Sequence, residues 1–247
     1  MPDLVLLRHG QSTWNAEGLF TGWVDVDLTA QGEEEARQAG RLLVTEQERG
    51  LDLSVLHTSV LTRAVRTANL ALDELGRSWI PVRRHWRLNE RHYGALQGKN
   101  KKETTAEFGI DQVKVWRRSY SIRPPAIAPE HHPAHDRRYA NVPATALPAS
   151  ECLADVVARM VPYWEDVIVP DLHASGGVLV VAHGNSLRAL VKYLTDLSDE
   201  AVVGLEIPTG VPWLFHLGAD LSVTGDRLLG DPDAIAAAKE ATAHQAG

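Results

Sequence analysis

The stretch Leu4-Val5-Leu6-Leu7-Arg8-His9-Gly10 is a short apolar run that ends in a histidine and a glycine. The stretch Val178-Leu179-Val180-Val181-Ala182-His183-Gly184-Asn185 repeats this arrangement far along the chain. A fully apolar run of this length is typical of a strand buried on both faces of a parallel sheet. Ligands bind outside the carboxyl ends of the strands in open α/β sheets. Both histidines are therefore predicted to meet in one pocket.

The segments that follow the first run predict an alternation of helices and strands. Thr29, followed by acidic residues 33–35, has the signature of a helix start. Residues 53–56 predict a second strand, Pro81-Val82 starts a third, and residues 211–217 are predicted to form the last. This alternation predicts an α/β fold of three layers, in which a doubly wound, mostly parallel sheet is flanked by helices.

The second half of the chain predicts long helices around one irregular segment. Residues 101–119 and 151–172 are predicted to be helical, whereas residues 123–148 are rich in proline and histidine and lack a regular period. A loop of this length in a compact domain is usually a lid, a binding loop or a disordered segment. We expect one catalytic domain over residues 1–230 and a flexible, alanine-rich tail over residues 231–247.

Composition and charge argue against several classes of protein. The 247 residues are 44% hydrophobic and 23% charged, as in an ordinary soluble globular domain. The single cysteine, Cys152, excludes an internal disulfide and suits a reducing cytoplasm. A formal net charge of -7 argues against nucleic acid as a partner. There is no signal-peptide pattern and no apolar run near the ~20 residues of a membrane span, so we predict a cytoplasmic location without membrane contact.

Arg8-His9-Gly10 combines the residue types that phosphoryl transfer needs. A histidine can attack phosphorus and carry the group covalently, and an arginine beside it can hold phosphate oxygens with two hydrogen bonds. An isolated motif of this kind more often contains a structural histidine that caps a strand. The second unit changes that balance, because His183, Arg8 and Arg63 can together surround a phosphoryl group. Asn15 would add a neutral donor.

A cluster of histidines in the irregular segment raises the alternative of a metal site. His131, His132 and His135 have a possible spacing, but a proline interrupts them. The arginines near the two strand ends can already supply the positive charge that phosphoryl transfer requires. We therefore predict a reaction that uses no metal.

Five motifs along the chain carry a more specific signal. They are Leu7-Arg8-His9-Gly10-Gln11-Ser12-Thr13-Trp14-Asn15, Phe20-Thr21-Gly22-Trp23, Leu88-Asn89-Glu90-Arg91-His92-Tyr93-Gly94-Ala95-Leu96-Gln97-Gly98, Val115-Trp116-Arg117-Arg118-Ser119-Tyr120 and Ala182-His183-Gly184-Asn185-Ser186-Leu187-Arg188. This set resembles the cofactor-dependent phosphoglycerate mutases of the histidine phosphatase superfamily. The similarity runs from about residue 4 to residue 232, and the block around Glu90 is its most specific part.

The resemblance implies a phosphoglycerate mutase-like fold and a reaction through phosphohistidine. By carry-over, 2,3-bisphosphoglycerate phosphorylates His9, and the group then passes to a monophosphoglycerate hydroxyl. Glu90 is implied to donate and accept the proton, and His183 to stabilise the transition state. Arg8 and Arg63 complete the implied catalytic set. The reaction would interconvert 3-phosphoglycerate and 2-phosphoglycerate in glycolysis and gluconeogenesis.

The resemblance also implies partners and ligand-binding positions. The expected partners are small phosphoglycerates, and the family pattern implies a homo-oligomer, either a dimer or a tetramer. The implied binding positions are Arg8, Gly10, Gln11, Ser12, Thr13, Trp14, Asn15, Thr21, Gly22, Arg63, Arg91, His92, Tyr93, Lys101, Arg117, Arg118, Gly184 and Asn185. Gln11 departs from the family, in which glutamate is common, and Cys152 stands where serine is common.

Three functions compete at this stage. The first is the mutase, the second a broad phosphomonoesterase that uses His9 with water as acceptor, and the third a phospho-ligand-binding protein without turnover. The Glu90 block and residues 116–118 favour the mutase, because they would build a closed pocket for an anionic substrate. A mutase must exclude water once it carries the phosphoryl group. We therefore predict that residues 117–148 and the tail close over the ligand.

Overall fold

A mixed six-stranded sheet forms the centre of the described part of the molecule. The computed structural model describes residues 2–246, with the backbone alone at residues 241 and 243–246. The strands are β1 (Asp3–Arg8), β2 (Val55–Thr58), β3 (Val82–Arg84), β4 (Gly177–Ala182), β5 (Trp213–Leu217) and β6 (Val223–Leu228). Their order is β3-β2-β4-β1-β5-β6; the first four are parallel, and β5 and β6 are antiparallel to their neighbours.

The helices that flank this sheet range from one turn to 19 residues in length. They are α1 (Thr13–Ala16), α2 (Ala30–Glu48), α3 (Thr62–Leu75), α4 (Lys101–Phe108), α5 (Ile110–Arg118), α6 (Leu153–Tyr163), α7 (Val169–Ser175), α8 (Gly184–Thr195), α9 (Asp199–Val203) and α10 (Pro232–Ala246). A π-helical turn, Trp164–Ile168, joins α6 to α7. Across residues 2–246, none of the helices combines enough length with enough hydrophobicity to traverse a bilayer.

Two separate hydrophobic clusters cover the two faces of the sheet. Successive residues of a strand point to opposite faces, so Leu4 and Leu6 of β1 pack with residues of α6 and α8. Val5 and Leu7 pack on the other face with residues of α2 and α3. All four side chains are at most 1% exposed. The predicted three-layer α/β fold with a mostly parallel sheet is confirmed.

The pairing of β1 with β4 brings two distant parts of the chain together at the carboxyl ends of these central strands. Arg8 lies opposite Ala182 in the parallel register. His9 donates its backbone N–H to the carbonyl of Ala182 at 3.0 Å, so it leaves the sheet level with His183. The prediction that both histidine units end at the same side of the sheet is confirmed by this register.

Several predicted element boundaries were wrong. The segment 101–119 contains two helices, because Gly109 has a φ of +84°, which ends α4 before α5 begins. The second strand starts at Val55, and the helix predicted from residue 151 starts at Leu153. The last strand is β6, since the chain turns back after β5 and pairs with it again. Three of the six residues of β6, Thr224, Asp226 and Arg227, are polar and exposed, so the strand lacks a continuous apolar run.

The segment 123–148 is attached to the body of the protein. It contains short 3₁₀ turns, in agreement with its irregular pattern. Tyr139 is 3% exposed and packs against Trp23, with ring centroids 5.0 Å apart. Arg138 forms an ion pair with Asp25 at 2.7 Å. These contacts hold the segment against the loop that precedes α2.

The tail, predicted to be flexible, is helical over most of its length. It forms α10, and Thr242 within it is 4% exposed. Gly247 lies outside the described residues. A domain boundary at residue 230 and mobility of the tail remain predictions.

Candidate active site

One cavity opens at the carboxyl ends of β1, β2 and β4, where both histidine units end. Six of the side chains around it are cationic. It is lined by Arg8, His9, Asn15, Leu19, Phe20, Thr21, Gly22, Arg63, Glu90, Tyr93, Lys101, Arg117, Arg118, Gly184, Asn185, Arg188, Glu206, Ile207 and Thr242. The cavity therefore joins residues predicted from both strand ends, from the Glu90 block and from the basic segment.

His9 is held as a neutral ring with one nitrogen directed toward an arginine. Its Nδ1 lies 2.7 Å from the carbonyl oxygen of Gly10. A carbonyl only accepts hydrogen bonds, so Nδ1 carries the proton and Nε2 keeps its lone pair. Arg63 Nε donates to that Nε2 at 3.3 Å. Burial lowers the pKa of His9 well below its ordinary value, and the charges of Arg63 and Arg8 lower it further. These are the properties of a nitrogen nucleophile.

Gly10 is required by a close approach of two backbones. A Cβ atom at this position would lie 2.1 Å from the carbonyl oxygen of Gly32, in the first turn of α2. A Cβ atom at Gly32 would in turn lie 2.0 Å from the carbonyl oxygen of Gln11. The loop after His9 can therefore pack against α2 only because both positions are glycine.

Two arginines, the buried Arg63 and the half-buried Arg8, stand beside the His9 ring. Arg63 donates to the carbonyl oxygens of Val24 at 3.0 Å and Gly22 at 2.7 Å, and burial lowers its pKa to about 10. Arg8 donates through Nη1 to the carbonyl oxygen of Ile207 at 2.9 Å. The Nε of Arg8 is buried and has no partner among the described residues. Both guanidinium groups remain charged at neutral pH and can bind phosphate oxygens.

His183 stands against His9, with ring centroids 4.9 Å apart. Burial lowers the pKa of His183 well below its ordinary value, with Arg63 as the next cause. The ring is therefore neutral, and the positive charge comes from the arginines. Its Nε2 lies 2.7 Å from the hydroxyl oxygen of Ser59, which is fully buried after β2. Ser59 was not predicted as a site residue; its position directly after a strand that is predicted to be buried was the available signal.

Glu90 presents one carboxylate oxygen to the cavity while the other is held. Its Oε1 accepts hydrogen bonds from the backbone N–H groups of Arg91 at 2.7 Å and Asn185 at 3.2 Å. Oε2 accepts no hydrogen bond from the described residues, and it lies on the side of Gly184. Only 9% of Glu90 is exposed. A carboxylate fixed through one oxygen can exchange a proton through the other.

A buried ion pair fixes the backbone that carries Glu90. Arg159 of α6 donates through Nε to Glu151 at 2.6 Å and through Nη2 to the carbonyl oxygen of Glu90 at 2.9 Å. Glu151 also accepts the backbone N–H of His92 at 2.8 Å. Both partners of the ion pair are nearly buried, with side chains 7% and 2% exposed. This pair was not predicted from the sequence, because Arg159 lies in a helix where its side chain could equally face solvent.

Removing the charge of Arg159 should destabilise the protein strongly. We expect Arg159→Met to lower the free energy of unfolding by about 3–5 kcal/mol, because it leaves the carboxylate of Glu151 buried without its partner. The matched control is Arg123→Met, which breaks a more exposed ion pair with Asp155 on the same helix. That change should cost about 1 kcal/mol or less. Urea denaturation measures both, and equal losses would contradict the assignment.

The far side of the cavity forms a basic group, which we call the arginine end: Lys101, Arg117, Arg118 and Arg188. Burial lowers the pKa of Lys101 to about 8, with the charge of Arg117 as the next cause. The helix α5 ends at Arg118, so both arginines can reach the cavity from its last turn. Arg91 donates to the carbonyl oxygen of Arg117 at 2.7 Å and holds that turn. Arg188 had no predicted role.

Seven of the residues implied to bind ligand do not line the cavity. Among them, Ser12 contacts Asn15 and Arg91 donates to the carbonyl oxygen of Arg117, and both partners line the cavity. Ser12 caps α1 and binds Asn15, while the backbone N–H of Gln11 donates to Glu35 at 2.7 Å. The seven are Gly10, Gln11, Ser12, Thr13, Trp14, Arg91 and His92. Direct contact of these seven with a ligand remains a prediction.

The predicted cover of the cavity is contributed by two short regions. The cavity is lined by Arg117 and Arg118 at the end of α5 and by Thr242 of the tail, whereas no residue of 119–148 lines it. The segment 123–148 is held elsewhere by Tyr139 and Arg138, as described above. Closure over a ligand remains a prediction, and the tail is the part of it that the geometry supports.

The histidines that raised the alternative of a metal site lie apart from this cavity. His131, His132 and His135 line a separate pocket with Trp23 and Tyr139. Over the described ranges, no group of three or more histidine, cysteine, aspartate or glutamate side chains is placed to hold a metal ion.

Comparison with known proteins identifies the class to which this fold and site belong. The family model of the histidine phosphatase superfamily (branch 1) matches residues 4–211. The chain therefore belongs to the histidine phosphatase superfamily.

Within this superfamily, the chain groups with enzymes named 2,3-bisphosphoglycerate-dependent phosphoglycerate mutase. The relative from Thermobifida fusca is 59% identical over an alignment of 249 positions that covers 99% of each chain. A relative from Nitratidesulfovibrio vulgaris is 60% identical and covers 94% of this chain and 92% of its own length.

Solved structures share the fold at lower sequence identity. The mycobacterial glucosyl-3-phosphoglycerate phosphatase is 25% identical, with a TM-score of 0.68 over 92% of this chain and 97% of its own. The α-ribazole phosphatase from Shigella flexneri is 21% identical, with a TM-score of 0.67 over 93% and 96%. The latter likeness concerns the fold alone.

Four buried histidines and one half-buried histidine should make the protein sensitive to acid. Burial lowers the pKa of His57 and His85 to about 4 and that of His92 to about 3, and it lowers the pKa of His9 and His183 as described above. An unfolded histidine binds a proton below about pH 6.5, whereas these folded ones do not. The stabilisation that these histidines provide is thus fully present above pH 6.5. It falls between pH 6.5 and 4, by up to about 1.4 kcal/mol per pH unit for each histidine.

Urea denaturation at pH 7.5, 6 and 5 measures this slope. We expect His57→Gln to reduce the slope by about one histidine's share, whereas His173→Gln, at an exposed position, should leave it unchanged. A stability that stays constant from pH 7.5 to pH 5 would contradict the prediction.

Proposed function

We propose that this protein interconverts 3-phosphoglycerate and 2-phosphoglycerate through a phosphohistidine at His9, primed by 2,3-bisphosphoglycerate. The observation that carries the proposal is the neutral Nε2 of His9, which faces Arg63 at 3.3 Å in a cavity that also contains the Glu90 carboxylate. The names of relatives about 60% identical to the chain support the same reaction. The donor set of the cavity also fits a ligand with one carboxylate and two phosphates.

The first half of the reaction is transfer of a phosphoryl group to His9. The lone pair of Nε2 forms a bond to phosphorus as the bond from phosphorus to the donor oxygen breaks. The transition state places negative charge on the equatorial oxygens of the phosphoryl group. Arg8 and Arg63 can neutralise this charge, and both are already held by backbone carbonyls in the required positions.

Helix α8 and His183 add to this stabilisation. The N-terminus of α8 lies at the cavity, where it favours an anion, and Gly184 at the first position of the helix lines the cavity. His183 is neutral and ordered by Ser59. It contributes a positioned dipole beside the His9 ring.

Glu90 would move the proton in both directions. The departing oxygen of the donor takes a proton from the Oε2 of Glu90, and an attacking hydroxyl returns a proton to the same oxygen in the second half of the reaction. Its Oε1 stays bonded to the N–H groups of Arg91 and Asn185 throughout. One carboxylate is therefore sufficient for both steps.

The arginine end would hold the part of the ligand that does not react. A 2,3-bisphosphoglycerate that presents one phosphate to His9 still carries a carboxylate and a second phosphate. Lys101, Arg117 and Arg118 offer donors for both groups. A small phosphomonoester without these groups would not use this end.

The proposal is tested by measuring isomerisation of 3-phosphoglycerate with and without 2,3-bisphosphoglycerate, together with the release of inorganic phosphate. A mutase shows isomerisation that depends on the bisphosphate and exceeds phosphate release. A chain that releases phosphate from many esters without isomerising 3-phosphoglycerate would be a phosphomonoesterase, and the proposal would be wrong.

Removing both charges at the end of α5 should separate isomerisation from simple hydrolysis. We expect Arg117→Gln with Arg118→Gln to raise the KM for 3-phosphoglycerate about 10- to 100-fold, since two charge-assisted hydrogen bonds are lost. The fraction of phosphoryl groups lost to water should rise, and labelling of His9 by the bisphosphate should fall. Hydrolysis of p-nitrophenyl phosphate should be nearly unchanged. An equal loss of that hydrolysis would place the two arginines at the transferred phosphate.

Location and assembly complete the proposal. We place the enzyme in the cytoplasm, where phosphoglycerates are metabolised, with these small molecules as its partners. We further propose a homo-oligomer. In support, Trp79 is 72% exposed beside β3, which lies at the edge of the sheet, and exposed aromatic side chains are common in protein interfaces. Sedimentation of the purified chain measures the oligomeric state.

A further inference from the structure

Glu206 is an acidic side chain in a cavity built for anions. Among the described residues, six cationic side chains and two carboxylates line this cavity. One carboxylate, Glu90, carries the proton in the mechanism above. The other, Glu206, has no part in that proton transfer, yet it stands where its charge should repel the ligand.

Glu206 is paired with Arg118 of the arginine end. Its Oε1 accepts a hydrogen bond from Arg118 Nη2 at 2.6 Å. The two side chains are 27% and 25% exposed, so the pair is accessible from the cavity. A guanidinium binds a protein carboxylate and the carboxylate or phosphate of a ligand with the same N–H donors. Glu206 and the ligand therefore require the same group.

The backbone of Glu206 is fixed to the end of β1. The carbonyl oxygen of Ile207 accepts a hydrogen bond from Arg8, and the N–H of Gly210 donates to the carbonyl oxygen of Arg8 at 3.1 Å. The segment thus cannot move away with the ligand. An exchange of partners at Arg118 has to occur by rotation of the side chains.

The charge of Glu206 acts on much of the cavity. Burial lowers the pKa of Arg8 and of Arg117, and the carboxylate of Glu206 opposes this shift in both. Burial also lowers the pKa of Arg188 to about 10, and Glu206 again opposes the shift. Glu206 therefore offsets part of the positive charge that a ligand meets at either end.

We propose that Glu206 is a specificity-determining residue that competes with the carboxylate or second phosphate of the ligand for Arg118. The proposal rests on the proposed function. Binding replaces the Glu206–Arg118 pair by a ligand–Arg118 pair, and release restores the original pair, so Arg118 adds less net affinity than an unpaired arginine would. This suits a mutase in which one histidine serves two carbon positions. The bisphosphorylated intermediate must present each phosphate to His9 in turn, and Arg118 has to release it in between.

The test compares the wild type with Glu206→Gln, by calorimetric titration with 2,3-bisphosphoglycerate and by steady-state kinetics with 3-phosphoglycerate. We expect the Kd and the KM to fall roughly two- to fivefold, the size of a partly exposed ion pair. The kcat of isomerisation should fall by a similar factor, because the intermediate is held more tightly. Hydrolysis of p-nitrophenyl phosphate, which lacks the second anionic group, should change by a smaller factor.

Three control variants define the cause. Glu206→Asp keeps the charge and should keep the wild-type affinity. Glu200→Gln removes a charge at an exposed position in α9 and should have no effect. In an Arg118→Gln background, Glu206→Gln should no longer tighten binding, since competition requires the arginine.

Two results would overturn the proposal. A higher KM in Glu206→Gln would mean that Glu206 only positions Arg118 for the ligand. Tightening that persists in full in the Arg118→Gln background would mean simple repulsion without exchange. Failure of the proposed function is distinct from both, because it appears in the wild type as absent isomerisation. The calorimetric comparison with 2,3-bisphosphoglycerate then still tests the competition.

Discussion

His9→Ala is expected to abolish both isomerisation and labelling of the protein by 2,3-bisphosphoglycerate. Loss of a nucleophile typically lowers turnover by roughly 10⁴- to 10⁶-fold, and no other side chain in the cavity takes its place. His183 is the nearest ring, but its Nε2 is occupied by Ser59. The labelled wild-type protein should lose its phosphoryl group in acid and keep it in base, as phosphohistidine does.

The control for this experiment is His173→Ala, which removes a histidine from the surface. It should retain full labelling and activity. If His9→Ala were labelled as strongly as the wild type, the phosphoryl group would reside on another residue, and the mechanism through His9 would be wrong. Unchanged urea denaturation of the variant would show that a loss of labelling is chemical and not a result of unfolding.

Glu90→Gln is expected to lower kcat by roughly 10²- to 10⁴-fold while leaving the affinity for phosphoglycerate nearly intact. The amide has almost the same shape as the carboxylate, and its oxygen can still accept the N–H groups that hold Oε1. It cannot take up and return a proton at the other position. The loss should therefore appear in turnover and not in binding.

Steady-state kinetics together with calorimetric titration separates the two effects. Glu103→Gln, which removes an exposed carboxylate from α4, provides the matched control and should behave as the wild type. A Glu90→Gln variant whose defect lay mainly in affinity would assign this residue to binding. Another group would then have to carry the proton.

The parts of the fold that could be predicted are those whose signal is local. The runs at Leu4 and Val178 are apolar at every position because both faces of β1 and β4 are covered. Their buried pattern and terminal glycines therefore identified the two strands and the place of the site. The strand β6 could not be found in this way, since it lies at the edge of the sheet and half of its residues are polar and exposed.

The residues of the candidate site differ in the same way in how far they could be predicted from the sequence. His9, His183 and Glu90 stand in recognisable motifs, whereas Ser59 and Arg159 acquire their roles from partners more than sixty positions away. An arginine in an amphipathic helix gives no sign that it will bind the backbone of a distant loop. Such roles depend on tertiary packing, which the order of residues along the chain does not display.

The strand order has a consequence for how the protein is made. β1 leaves the ribosome first, yet it pairs only with β4 and β5, which are synthesised after more than two thirds of the chain. Until then an apolar strand has no edge to join, and β2 and β3 lack the neighbour that would connect them to it. Such long-range pairing is slow and leaves hydrophobic surface open to aggregation. The nascent chain is therefore expected to need protection by a chaperone until β4 and β5 have been synthesised.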